Sequence, residues 1–211
     1  QGGHFIPQNY AQSFSGMVSL RTALANSLNI PALFITQQLG VDPVLERLRD
    51  VGLTSLSKDP SYYGLGIVLG NGEVSMWELA HAYLVLARGG TQLPLVVQKQ
   101  EQPPEPRILL DERIVYLIND VLSDNQARDL SFGLSSPLSQ TFAAAVKTGT
   151  STNYRDNWTI GYTPDYLVAV WVGNFDGSPM QNVSGVSGAG PIWHRVMKEV
   201  VGNKKSDFTP T

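Results

Sequence analysis

The chain reads YLVAVWV at positions 166–172, and this apolar run decides the fold class. A strand with one solvated face alternates apolar and polar residues, whereas a run that is apolar at every position is typical of a strand buried on both faces. Two more strand-like segments precede it, at residues 142–150 and 158–162, and a Thr163-Pro164-Asp165 turn joins the second to the run. We therefore expect an antiparallel sheet covered by helices on both faces.

Helices are predicted on either side of this sheet segment. Apolar residues at helical spacing, with Ser, Asp or Pro before them and Gly after them, mark the helix limits. The predicted helices lie near residues 20–25, 31–39, 43–51, 75–88, 111–122 and 191–201. Residues 27–29 fall in a turn between the first two. The sequence therefore predicts an α+β fold with an additional helical subdomain.

Composition excludes several classes of function. The 211 residues are 42% hydrophobic and 16% charged, as in a packed globular domain, and the net charge of -3 with scattered basic residues argues against nucleic acid as a partner. There is no cysteine, and His4, His81 and His194 are isolated, so neither a metal nor another cofactor is predicted. The longest apolar runs are far too short to cross a membrane.

The end of the first predicted strand carries Lys147, Thr148, Gly149 and Thr150. Such a motif supplies a cation for substrate charge, hydroxyls for a carboxylate and a glycine that lets substrate approach the backbone closely. A four-residue match to this motif arises by chance in roughly one of two hundred chains of this length. The competing interpretation is a strand end with an ordinary solvated lysine.

Ser-x-Asn is a weaker motif, and it occurs three times. One copy lies at the turn of residues 27–29, one follows a helix at 123–125, and one follows the strand motif at 151–153. Serine and asparagine at such places commonly close turns or cap helices. The tripeptide alone does not select one copy.

The longer segment RTALANSLNIPA, at positions 21–32, resembles the Ser-x-Asn region of class A, bifunctional penicillin-binding proteins. Residues 62–73 and the Lys147 motif with the strand after it are similar to the same family, and residues 185–193 look most like the branch called penicillin-binding protein 1C. The resemblance covers nearly the whole chain. It identifies the chain as the C-terminal part of a transpeptidase domain, with an incomplete penicillin-binding protein/serine β-lactamase-like fold.

The resemblance implies a D,D-transpeptidase that cross-links peptidoglycan stem peptides through an acyl-serine intermediate and binds β-lactam antibiotics. Ser27 would relay a proton near the leaving group, Asn29 would hydrogen-bond the substrate backbone, and Lys147 would keep the cleft electropositive and bond to Ser27. A terminal carboxylate would be bound by the hydroxyls of the strand motif, and the last N–H of that motif would help to form the oxyanion hole. The substrate-binding residues would be Thr148, Gly149 and Thr150.

The family's nucleophile is the serine of a Ser-x-x-Lys motif upstream of Ser-x-Asn, and no such motif lies in the 26 residues before Ser27. We therefore expect this chain alone to be inactive, because the acyl-enzyme needs that serine. Ser55 and Lys58 do match the pattern, but the Asp59-Pro60 pair that follows denies them the helix that would place the lysine beside the serine. Residues 123–125 likewise match the Ser-Asp-Asn of class A β-lactamases. We interpret both matches as decoys.

Two other functions remain open from the sequence. One is a serine β-lactamase or D,D-carboxypeptidase that uses Ser55 and Lys58, which covalent labelling of Ser55 by a penicillin would favour. The other is a non-catalytic domain that has lost its nucleophile and binds peptides or partner proteins.

Organisation and location are further expectations from the resemblance. Residues 1–202 are predicted to belong to the transpeptidase domain and residues 203–211 to form a flexible tail. Because upstream strands complete the sheet in the family, the strand at 166–172 is expected to expose an apolar edge and to pair with a second copy. The parent protein is expected outside the cytoplasm, in the periplasm or at the outer face of the membrane, anchored by a segment not present here.

Overall fold

The structure is a computed structural model that describes residues 16–98 and 104–208. The helices are α1 (Leu20–Ala25), α2 (Asn29–Leu39), α3 (Val41–Asp50), α4 (Pro60–Tyr63), α5 (Met76–Ala87), α6 (Glu112–Ser123), α7 (Asp129–Phe132) and α8 (Ala189–Val201), with 3-10 turns at Gly64–Leu69 and Thr152–Tyr154. The strands are β1 (Thr91–Gln92), β2 (Arg107–Ile108), β3 (Ala145–Thr150), β4 (Asp156–Tyr162) and β5 (Leu167–Gly173). The predicted α+β class is confirmed.

Strands β3, β4 and β5 form one antiparallel sheet in that order. Helix α8 packs against β4 and β5 on one face, while α5 and α6 pack on the other face, so the predicted layers are confirmed. Side chains of β5 are only partly buried, although the run is apolar, because β5 is an edge strand of this sheet. Its outer edge has no strand partner within the described residues.

The face under α8 holds the largest buried side chain, Trp193. Its indole lies directly on Gly161, where a Cβ would come within 2.3 Å of the ring, so any larger residue at 161 would displace the helix. Burial of a large apolar side chain of this kind contributes about 1.5–3 kcal/mol. The cluster on this face comprises Leu138, Ala144, Val146, Trp193, Met197 and Val201.

The opposite face is built around Tyr162. Its ring packs edge-on against Tyr83 of α5, and its hydroxyl donates a hydrogen bond of 2.7 Å to Asn119 Oδ1 on α6. Ala145 of β3 and Leu122 of α6 belong to the same cluster. This packing fixes α6 across β3, which bears on the candidate site below.

A separate core forms the predicted helical subdomain. Leu45 of α3 is fully buried there, and the cluster comprises Leu45, Leu53, Leu56, Tyr63 and Ile67. Helix α3 begins at Val41, two residues before the predicted start, because Gly40 adopts φ 88° and lets the chain turn immediately after α2.

Glu78 ties α5 to the segment before it. The predicted capping box with Ser75 is present, since Ser75 Oγ accepts from the Glu78 N–H at 3.2 Å and the Glu78 carboxylate accepts from the Ser75 N–H at 3.0 Å. The same carboxylate accepts from Ser55 and Thr54. These donors lower the pKa of Glu78 to about 2, with the Ser55 hydroxyl as the largest cause.

The C-terminal segment contacts the sheet. The Phe208 ring packs edge-on against Tyr162, with 5.9 Å between ring centroids, and Ser206 Oγ donates to the Ala143 carbonyl at 3.0 Å. The predicted flexibility of residues 203–211 stays a prediction, and residues 209–211 lie outside the described part of the chain. No helix among the described residues is long and apolar enough to cross a membrane. Nor do those residues include a group of three or more His, Cys, Asp or Glu side chains that could hold a metal ion.

Candidate active site

The turn between α1 and α2 presents Ser27 in an unusual backbone conformation. Leu28 N–H donates to the Ala23 carbonyl at 3.0 Å, and Ser27 N–H donates to the Leu24 carbonyl at 3.1 Å. These two bonds are those of a Schellman motif, whose left-handed position is usually glycine. Ser27 occupies that position with φ 54°. A left-handed conformation costs a residue with a Cβ about 1–2 kcal/mol, so a side chain here calls for a compensating contact.

Lys147 makes that contact. Its Nζ donates to Ser27 Oγ at 2.6 Å and to the Thr148 carbonyl at 2.9 Å. Lys147 lies two residues after Ala145 on β3 and therefore points to the same face, toward α6. Burial of the ammonium group lowers the pKa of Lys147 to about 8. The ammonium is thus bound by neutral oxygens and is mostly protonated at pH 7.

Thr150 ends β3, and its hydroxyl meets the loop that returns from β5. The Gly185 N–H donates to Thr150 Oγ1 at 2.9 Å, and Thr159 Oγ1 donates to the Gly185 carbonyl at 2.9 Å. A Cβ at position 185 would lie 2.6 Å from the carbonyl oxygens of Gly149 and Trp158, so only glycine fits. Because Thr150 Oγ1 accepts from Gly185, its own O–H is left to donate in another direction.

The outer edge of β3 has no strand partner within residues 16–98 and 104–208. Lys147 points to the face of α6, and Thr148 and Thr150 point to the face of α8, because side chains alternate along a strand. A ligand that contacts both sets must therefore lie along the strand edge. An open edge also offers N–H and C=O groups to an extended peptide. The arrangement suits an extended peptide.

The structure brings Ser27 and Lys147 together, and it places Asn29 two residues away. Asn29 was predicted to lie in the turn, but it is the first residue of α2. Its side chain is partly buried. Pro31 is accommodated in the first helical turn, where its missing N–H leaves no hydrogen bond unmade. The roles of these side chains, and of Thr148, Gly149 and Thr150, stay predictions.

The two decoy motifs have structural partners. The N–H and Oγ of Ser55 donate to the Glu78 carboxylate at 2.7 Å and 2.6 Å, and residues 55–58 are not helical. Ser123 Oγ donates to the carbonyl of Asp120 one helical turn earlier. Asp124 forms an ion pair with Arg21 at 3.0 Å. With its pKa lowered to about 2, the Glu78 carboxylate is too weak a base to activate Ser55 as a nucleophile near neutral pH.

Sequence reasoning missed the contacts that Asn26, Asp124 and Gly185 make around the site. Asn26 and Asp124 act through partners about a hundred positions away along the chain, and no local pattern reveals such contacts. Gly185 was noticed only within a resembling segment. The glycine-rich and serine-rich segment between the last strand and the last helix, which contains Gly185, was the one available signal.

Comparison with known proteins gives a family. The family profile described as the penicillin binding protein transpeptidase domain matches residues 2–198. Penicillin-binding protein 1C of Escherichia coli is 31% identical over 194 residues, which are 92% of this chain and 24% of that protein. Penicillin-binding protein 1A of Aquifex aeolicus is 34% identical over 215 residues, covering 95% of this chain and 28% of that protein.

Solved structures agree in fold. The crystal structure of penicillin-binding protein 1A from Haemophilus influenzae superposes with a TM-score of 0.79 at 21% identity, covering 97% of this chain and 37% of that chain. The chain spans about a quarter of the length of the two curated relatives described above. The profile match over nearly all of these residues, together with these relatives, shows that the chain belongs to the transpeptidase domain family of class A penicillin-binding proteins.

Proposed function

We propose that this chain is part of a peptidoglycan D,D-transpeptidase that cross-links stem peptides through an acyl-serine intermediate and binds β-lactams. The observation that carries the proposal is the hydrogen bond of 2.6 Å from Lys147 Nζ to Ser27 Oγ. It joins the two family motifs that lie 120 residues apart in the chain. Family membership supports the reaction class, and this contact supports the roles proposed for Ser27 and Lys147.

The proposed proton path runs through this pair. Because Ser27 Oγ accepts from Lys147, the Ser27 hydroxyl proton points away from the ammonium and can pass to the leaving amine of a D-Ala residue. Lys147 then donates a proton to Ser27 Oγ, becomes neutral, and regains its proton from solvent. A lysine with a pKa of about 8 is a suitable acid for this step near neutral pH.

Substrate binding is assigned to the edge of β3. The hydroxyls of Thr148 and Thr150 would donate hydrogen bonds to the terminal carboxylate. Gly149 would allow the substrate to approach closely, and Asn29 would hydrogen-bond the substrate backbone. The Thr150 N–H would form part of the oxyanion hole. Gly185 supports this assignment, because its N–H leaves the Thr150 hydroxyl available as a donor.

We further propose that the chain alone forms no acyl-enzyme, because the serine nucleophile of the family motif is not among these residues upstream of Ser27. The natural partners are stem peptides, and β-lactams act as their mimics. The working protein would act outside the cytoplasm, anchored to the membrane. Residues 1–202 would belong to the transpeptidase domain.

The open edge of β5 is proposed to pair two copies of the chain in solution. Sedimentation equilibrium would show a mass that rises with concentration toward twice the monomer mass. A monomer mass at every concentration would contradict this pairing.

Equilibrium binding of a peptide ending in D-Ala-D-Ala tests the proposed site. We expect Lys147→Met to weaken binding roughly tenfold or more, since it removes the charged donor at the site. Lys198→Met is the matched control, because Lys198 is an exposed lysine on α8. Equal affinity in both variants would contradict the assignment of the site to β3.

Intact-mass spectrometry after incubation with a penicillin tests the claim about the nucleophile. We expect no covalent adduct on the chain. An adduct located at Ser55 would instead establish the alternative reaction, that of a serine β-lactamase or D,D-carboxypeptidase using Ser55 and Lys58.

A further inference from the structure

Asn26, the residue before Ser27, is buried and uses its whole side chain. Its Nδ2 donates to the Thr22 carbonyl at 3.0 Å and to the Ala127 carbonyl at 2.7 Å. Its Oδ1 accepts from the Ser131 N–H at 2.9 Å, and its own carbonyl accepts from Ser131 Oγ at 3.1 Å. Three of these four bonds reach a segment about a hundred residues later in the chain.

These bonds are not needed to form the turn itself. The Schellman bonds of Ser27 and Leu28 are between backbone groups, so they do not depend on the side chain of Asn26. What the Asn26 side chain adds is an attachment of the turn to residues 127–131. Asparagine suits this task because it both donates and accepts, whereas aspartate could not donate to the Ala127 carbonyl.

Residues 127–131, which Asn26 contacts, are held by further hydrogen bonds and an ion pair. Asp124 accepts from the N–H groups of Gln126 and Ala127, at 3.0 Å and 2.9 Å, and pairs with Arg21 of α1. The Arg128 guanidinium is buried and donates to the Leu122 carbonyl at 2.8 Å. The same α6 packs on β3, the strand that carries Lys147. A rigid path of bonded groups therefore connects the Ser27 turn to the Lys147 strand.

We infer that Asn26 is a positioning residue, which holds the Ser27 hydroxyl against Lys147 by fastening the α1–α2 turn to residues 127–131. The segment Ser123-Asp124-Asn125, which matches a catalytic motif in sequence, would then have a structural role in positioning the Ser27–Lys147 pair. The catalytic meaning of the pair rests on the proposed function. The tether itself can be tested without any reaction.

Proton exchange of the Lys147 ammonium provides the test, by NMR on the 211-residue chain with ¹⁵N-labelled lysine. The Lys147 Nζ resonance is assigned by its loss in Lys147→Arg, and Ser27→Ala gives the signal of a broken contact. Asn26→Ala is compared with Asn71→Ala. Asn71 is the control, because its Nδ2 also donates to a backbone carbonyl, that of Tyr63 at 2.7 Å, and it belongs to neither α6 nor β3.

We expect Asn26→Ala to move the Lys147 Nζ resonance toward its position in Ser27→Ala and to speed its exchange with water roughly tenfold, as for loss of one hydrogen bond to a charged group. Asn71→Ala should leave both quantities unchanged. An unchanged Lys147 signal in Asn26→Ala, or the same change in Asn71→Ala, would overturn the inference. Weak peptide binding by the wild-type chain with a normal Lys147 signal would count against the proposed function alone.

Ser131→Ala provides a milder variant if Asn26→Ala does not fold. It removes one bond to the turn, and Ser139→Ala removes a comparable bond from Oγ to the Leu134 carbonyl elsewhere. We expect a smaller change of the Lys147 signal in Ser131→Ala and none in Ser139→Ala. Identical spectra for these two variants and the wild type would refute the tether.

Discussion

Replacing Ser27 by glycine and by alanine separates the backbone conformation of the turn from its contact with Lys147. Both substitutions remove the hydrogen bond to the Lys147 ammonium, which contributes about 1.5–3 kcal/mol as a bond to a charged group. Only glycine relieves the left-handed strain at φ 54°, about 1–2 kcal/mol. Glycine gives back about 0.4–1 kcal/mol through the greater entropy of its unfolded chain.

The expected order of stability is wild type, then Ser27→Gly, then Ser27→Ala, with Ser27→Gly more stable than Ser27→Ala by about 1 kcal/mol. Urea denaturation measures this difference, and thermal unfolding should show it as about 2–4 °C in Tm for a chain of this size. Both variants should lose the Lys147 contact and bind the peptide more weakly. An alanine variant as stable as the glycine variant would refute the left-handed turn at Ser27.

Three further predictions concern Glu78, Lys147 and Gly185. Glu78→Gln should lower stability by about 1 kcal/mol at pH 7 because the capping box is weakened. The pKa of Glu78 is about 2 in the folded chain against 4.5 unfolded, so the stability difference between the wild type and Glu78→Gln should shrink as the pH falls from 4.5 toward 2. Urea denaturation over this pH range measures the difference. The Lys147 pKa of about 8 lies below the unfolded 10.5, so the unfolded state binds more protons in between. Stability of the wild type relative to Lys147→Met should therefore rise over that range, by at most about 1.4 kcal/mol per pH unit. Gly185→Ala forces a Cβ against two carbonyl oxygens and should lower stability by about 1–3 kcal/mol. Gly190→Ala should be tolerated, because its Cβ would lie 3.5 Å from the nearest atom. Thermal unfolding of both variants measures the difference.

Local sequence signals predicted much of the fold. The apolar run ending at Val172 predicted β5, and the Ser75 and Glu78 spacing predicted the start of α5. The helical spacing from Ile192 to Val200 predicted α8, although those two residues are exposed. Each of these depends on a repeat or a cap within a few residues. Strand β3 begins at Ala145, three residues later than predicted, because pairing with Tyr162 of β4 and not local composition sets its start.

Other features could not be read from neighbouring residues. The short elements α4, α7 and the β1–β2 pair lie in turn-rich or polar segments too short to show a period. The left-handed Ser27 stands where glycine is usual, and only its distant partner Lys147 explains it. Residue 185 must be glycine because it lies against the backbone of β3 and β4. The sequence does not reveal that this loop residue is a neighbour of those strands.

A crystal structure of the chain with a bound peptide ending in D-Ala-D-Ala tests the central claim most directly. We predict that the terminal carboxylate lies within hydrogen-bonding distance, roughly 3 Å, of the Thr148 and Thr150 hydroxyls, with Lys147 Nζ still on Ser27 Oγ. A peptide bound beside Ser55 and Lys58, or a Lys147 side chain turned away from Ser27, would contradict the account.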